Sequence, residues 1–114
     1  MHQETSDHVT AEISTAAVRL LREYTGRGPT KARTTISDDH VVIVLGDLLT
    51  KGERKLVDSG KHDRVLALRR DFQLAMREDL VAMIEELTGR QVKAFMSDNH
   101  VDPDLAIEVF ILAD

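Results

Sequence analysis

KARTTISDDHVVIVL, Lys31 to Leu45, is the stretch from which the architecture can be read. Ala32, Thr34 and Ile36 alternate with Lys31, Arg33 and Thr35, the two-residue period of a strand with two different faces. Val41 to Leu45 is a run rich in β-branched residues, suited to a mostly buried strand. Between them, Ser37-Asp38-Asp39-His40 supplies short polar side chains that bond their own backbone in turns. The stretch therefore predicts a hairpin.

Working outward, Val9, Ile13, Ala16, Ala17, Leu20, Leu21 and Tyr24 recur at three- and four-residue steps. That period predicts a helix over Val9 to Tyr24. Thr25-Gly26-Arg27-Gly28-Pro29 stops it, because Pro29 has no N–H with which to continue. On the other side, Gly46-Asp47 ends the second strand, and Thr50-Lys51-Gly52-Glu53 spells a capping box. A short helix to Asp58 follows, packing Leu56 and Val57, and Ser59-Gly60 closes it.

The longest predicted element, His62 to Leu87, would span about 39 Å as a helix. Val65, Phe72, Met76, Leu80, Met83 and Leu87 share one stripe; Leu66, Leu74, Val81 and Ile84 widen it beyond what one sheet face covers. After Thr88-Gly89-Arg90 come strands over Gln91–Ser97 and Leu105–Ala113, joined by the polar segment Asp98–Asp104. In the last strand Leu105, Ile107, Val109 and Ile111 share one face and Glu108, Phe110 and Leu112 the other, so both faces carry apolar groups. The order α-β-β-α-α-β-β predicts an α+β domain of two layers. A four-stranded, largely antiparallel sheet carries the long helix on one face.

Composition bounds the chemistry. With 114 residues there is room for one domain, 1–114, with residues 1–6 expected as a flexible N terminus. The absence of cysteine excludes a disulfide scaffold, a thiolate metal site and a cysteine nucleophile. A net charge of −5 and only four aromatic residues (one Tyr, three Phe) argue against nucleic-acid binding. No run of about 18 apolar residues is present to span a bilayer. Met1 to Thr10 lacks the apolar centre of a signal peptide, so the expected location is the cytoplasm.

Four groups of residues are candidates for a site. Asp98–Asp104 holds three carboxylates with Asn99 and His100, an oxygen-rich composition that hard cations favour. Its spacing is not that of a calcium-binding loop, and a solvated hairpin connection is expected instead. The five histidines (His2, His8, His40, His62, His100) include no pair at helical metal-ligand spacing. His40 and His100 each fall in a predicted hairpin turn, which would allow them one end of the sheet. Arg27, Lys31 and Arg33, beside Gly26 and Gly28, are the candidate anion-binding residues, since guanidinium groups and free amides suit phosphate. Arg69, Arg70 and Arg77 lie within apolar stripes of the long helix, where structural or interface roles are expected over catalysis. Their expected ion-pair partners inside the chain are Asp71, Glu78, Glu85 and Glu86. No nucleophile elbow and no serine–histidine pairing is evident, so no catalytic residue, cofactor or metal is assigned.

GRGPTKARTTISDDHVVIVLGDLLTKGERKL (Gly26–Leu56), RRDFQLAMREDLVAMIEELTGRQVKAFMSDNH (Arg69–His100) and the terminal EVFIL (Glu108–Leu112) resemble, in this order, the MpsC domain family. That family takes its name from a sodium-translocating system that generates membrane potential. The resemblance implies association with a membrane machine for ion movement or inorganic-carbon supply. It brings no catalytic or binding residues with it.

The expected function is therefore that of a non-enzymatic cytoplasmic accessory or interaction domain, associated with a membrane-transport protein. The alternative is a regulatory domain that binds a small molecule or anion. A homodimer is expected from the surplus of apolar surface on the long helix and the strand faces, with Arg69, Phe72, Leu74, Met76 and Val81 at the interface. The competing expectation is that the first helix covers the second stripe within one chain.

Overall fold

A computed structural model describes the backbone of residues 2–114 and side chains from Asp7 onward, so the flexible N terminus expected at 1–6 lies outside the residues described in full. The elements are α1 (His2–Thr25), β1 (Lys31–Ser37), β2 (His40–Gly46), α2 (Lys51–Asp58), α3 (His62–Thr88), β3 (Val92–Val101) and β4 (Asp104–Leu112). The predicted order and α+β class are those observed.

The sheet runs β1-β2-β4-β3, with every neighbouring pair antiparallel. Each hairpin thus pairs locally, and the two meet along a central β2–β4 seam. Helices α1 and α3 pack on one side of this sheet and against each other. The inner face presents Val41, Ile43 and Leu45 from β2 with Ala106, Phe110 and Leu112 from β4, all buried against Ile13, Ala17 and Leu21 of α1 and Met76, Leu80 and Ile84 of α3. A hydrogen bond of 2.8 Å between the Ser14 and Thr34 hydroxyls ties α1 to β1. The phenyl rings of Phe95 and Phe110 pack 4.9 Å apart across the β3–β4 pair.

The capping box forms as its spacing requires. The Thr50 hydroxyl accepts from the Glu53 amide at 3.1 Å, and the Glu53 carboxylate accepts from the Thr50 amide at 2.8 Å. α3 ends at Gly89, whose φ of 71° is the left-handed conformation that glycine adopts without steric cost.

Two expectations are corrected here. Asp98–Asp104 is not a seven-residue loop. Strand β3 continues through Val101, leaving a tight turn at Asp102 and Pro103, whose connecting peptide is cis. The alternation of Phe95, Ser97, Asn99 and Val101 with Met96, Asp98 and His100 already carries the strand period through this polar segment. His40 and His100 do not share an end of the sheet. His40 pairs beside Ile111 and His100 beside Leu105, at opposite ends of β4, because the antiparallel seam sets the two turns apart.

Candidate interaction surface

The sheet has helices on one side only. Four rows of side chains cross its other face. Lys31, Gly46, Leu105 and His100 lie side by side at one end. Next come Arg33, Val44, Ile107 and Asp98, then Thr35, Val42, Val109 and Met96, and last Ser37, His40, Ile111 and Ala94. The two central strands therefore place Val42, Val44, Leu105, Ile107, Val109 and Ile111 on an uncovered surface. Val44, Leu105, Ile107 and Met96 are large apolar side chains left 39 to 53% exposed. Four strands and seven residues give this face roughly 20 by 23 Å. Contiguous apolar patches beyond a few hundred Å² are uncommon on monomers. Its charged residues sit on the edge strands, Lys31 and Arg33 on β1 and Asp98 on β3, with His100 beside Asp98 and His40 at the end of β2.

The signal for this face was present in β4, whose apolar residues occupy both sides. Pattern alone left open which side faced the helices. The inner side proves to be Ala106, Glu108, Phe110 and Leu112.

The residues proposed for a helix interface are placed otherwise. Arg69 is 3% exposed and donates from Nη2 to Glu53 Oε1 and to the Leu48 carbonyl, both at 2.6 Å. Its partner is Glu53 of α2 rather than any of the four acids on its own helix, because Arg69 points to the side of α3 that receives α2. Met76 is buried in the core, and Phe72 and Val81 are half-buried against it. Leu74 alone of the five is freely exposed, at 67%. Helix α1 packs against α3 on the flank of the main stripe, where Tyr24 Oη donates to Asp79 Oδ2 at 2.6 Å; of the second stripe Ile84 is buried, Leu66 and Val81 are half-buried and Leu74 is left open. Arg70 is exposed, and the Arg77 guanidinium lies 5.6 Å from the centre of the Phe95 ring.

Nor do the candidate anion ligands converge. Arg27 pairs with Asp47 at 2.6 Å, and its Nε donates to the Asp47 carbonyl at 3.2 Å. The Thr30 hydroxyl donates to the same carboxylate at 2.8 Å. These bonds, Thr30 first and Arg27 next, hold the Asp47 carboxyl below its ordinary range. Arg54 adds a longer contact to Asp47 and reaches Asp104 at 3.2 Å. Lys31 and Arg33 project instead from β1 onto the open face, and the Lys31 stem lies over Gly46, where an added Cβ would stand 3.3 Å from Lys31 Cβ.

The carboxylates of the former loop diverge as well. Asp98 faces outward from β3, and Asp104 accepts from the Leu49 amide at 2.9 Å. No group of three or more histidine, aspartate or glutamate side chains suited to a metal ion occurs among the described residues.

One titratable group sits under the helices. Glu108 is 2% exposed on the inner face, between Ile43 of β2 and Ser97 of β3. Burial pushes its carboxyl up to about 7, with an opposing pull from the Ser97 hydroxyl. Glu108 Oε2, Ser97 Oγ and Gln73 Nε2 are buried without a hydrogen-bond partner.

None of the helices is long and apolar enough to cross a membrane, among the described residues. Neither the curated proteins nor the solved structures yielded a match. The family model for MpsC, the sodium-translocating membrane-potential-generating system, matches residues 5–114. With essentially every element of the sheet and helix layer inside that match, the chain belongs to the MpsC family.

Proposed function

We propose that this chain is a non-enzymatic accessory domain that works by binding, as a homodimer attached on the cytoplasmic side to a membrane component of a sodium-linked potential-generating system. The observation that carries this reading is the apolar open face of the sheet, bounded by charge only at its edges. A surface of that kind favours a partner, because covering it releases water from hydrocarbon at about 25 cal/mol per Å². Family membership supports the membrane system as the setting. Among the described residues no helix is long and apolar enough to cross a bilayer, and the proposed contact with the membrane runs through another protein.

Two measurements test the parts separately. Sedimentation equilibrium across micromolar loadings is expected to give a mass rising from 12.8 kDa toward twice that value; a flat monomer mass would remove the homodimer. Affinity capture of the tagged chain from detergent-solubilised membranes of its own cells is expected to return an integral-membrane ion transporter. Recovery of soluble metabolic enzymes alone would remove the membrane attachment.

A further inference from the structure

We propose that two copies pack open face to open face about a twofold axis running along the strands, so that Arg33 of each copy meets Asp98 of the other. This rests on the homodimer reading above and adds which surfaces meet and in what orientation.

The strand order supplies the argument. Symmetric self-contact of a sheet face needs a twofold axis lying in the interface. Two directions keep the sheets aligned. An axis across the strands lays β1 on β1 and β3 on β3 and reverses height, so that with the sheets centred Arg33 lies over Thr35 and Asp98 over Met96, and neither charge meets an opposite one. An axis along the strands lays β1 on β3 and β2 on β4, and leaves every residue at its own height. Arg33, Val44, Ile107 and Asp98 form one row. Rotation about the strand direction therefore brings Arg33 over Asp98 and Val44 over Ile107. One row further, Thr35 lies over Met96 and Val42 over Val109.

Distance and charge agree with that choice. Facing sheets stand about 10 Å apart, a gap that an extended arginine and an aspartate bridge together. Sheets packed face to face cross at about 30°, which moves the edges by roughly one residue and stays within reach of so long a side chain. Among the described residues neither Arg33 nor Asp98 takes part in an ion pair. Asp98 is held only by the adjoining Asn99 amide at 2.9 Å. Only the axis along the strands brings opposite charges together, so the edges select orientation while the apolar centre supplies affinity.

Charge reversal tests the pairing. Arg33→Asp and Asp98→Arg are each expected to weaken self-association by about tenfold or more, and the double variant to recover most of it. Both side chains are exposed, and unchanged circular dichroism would certify the fold. The absence of cysteine permits a second readout. Copies carrying Thr35→Cys are mixed with copies of distinguishable mass carrying Met96→Cys and treated with a short bismaleimide. Cross-links between positions 35 and 96 are expected to dominate. Predominant 35–35 linkage, or a dimer indifferent to both charge reversals, would overturn the orientation while leaving the homodimer standing. A wild-type chain that stays near 12.8 kDa would give the open face to another occupant and remove both.

Discussion

On the helix-covered face of β4, Glu108 is 2% exposed between Ala106 and Phe110; one residue away on the same strand, Ile107 is 39% exposed on the uncovered face. The inner face thus hides a carboxyl and the outer face shows hydrocarbon, each the reverse of what its surroundings favour. The two exceptions differ in kind. Glu108 can relieve its situation alone, by holding a proton. Ile107 and its neighbours can do so only by acquiring a covering surface. The first exception therefore shows itself in the pH dependence of one chain, and the second in the concentration dependence of many.

The covered side should be the less tolerant. Removing Arg69 by Arg69→Ala leaves the Glu53 carboxylate buried without its ion-pair partner, a change expected to cost about 3–5 kcal/mol in urea denaturation. The paired change Arg69→Met with Glu53→Gln keeps an acceptor for the Thr50 amide and should recover much of that loss, since no buried charge then remains; an equal loss in the pair would show that packing, not charge, set the cost.

Glu108 gives the next largest effect. Its folded carboxyl titrates near 7, above the 4.5 of the exposed group, so the folded state holds a proton that the unfolded chain releases. Its contribution is complete below about pH 4.5 and is lost as pH rises toward 7, amounting to about 3 kcal/mol. Stability of the wild type relative to Glu108→Gln should accordingly fall between pH 5 and pH 7.5. A constant difference across that interval would mean that the carboxyl is not confined as described.

The sequence made part of this contrast legible. Thr50 and Glu53 declared their cap because both partners lie within four residues of each other. The Arg69–Glu53 pair was not legible, since its members are brought together by the docking of α2 on α3 and nothing local selects Glu53 over Asp71 or Glu85. The alternation in β4 separated Glu108 from Ile107 correctly, but naming the covered side required knowing that α1 also packs over the sheet. Asp98 was hidden by composition. Asp98-Asn99-His100 reads as loop chemistry, although the two-residue period continues beneath it.

The open face should tolerate charge as far as folding is concerned. Ile107→Asp is expected to change the stability of the single chain by less than about 1 kcal/mol while abolishing self-association in sedimentation. Ile43→Asp, at a fully buried position on the inner face, should prevent folding. Equal damage from both would erase the distinction between the faces. The smallest effect belongs to the ion pairs at the sheet end. Asp47→Asn keeps a residue type at ease with the positive φ of 62° but removes the charge facing Arg27. A slight fall in melting temperature is expected, shrinking as salt is added. In the wild type the same contribution should persist at neutral pH and disappear on acidification below the ordinary carboxyl range.

The strand order also has a kinetic meaning. The β1–β2 and β3–β4 ladders each close over a short turn, whereas the β2–β4 seam joins Gly46 to Leu105 across α2, α3 and β3. Chain entropy makes such a distant pairing slower to find than either hairpin. We expect the seam to set the folding rate. Ile43→Val on the seam should slow refolding in proportion to the stability it removes, while Thr35→Ala on the outer strand should act mainly on unfolding. Matching effects on the two rates at both positions would refute this order of events.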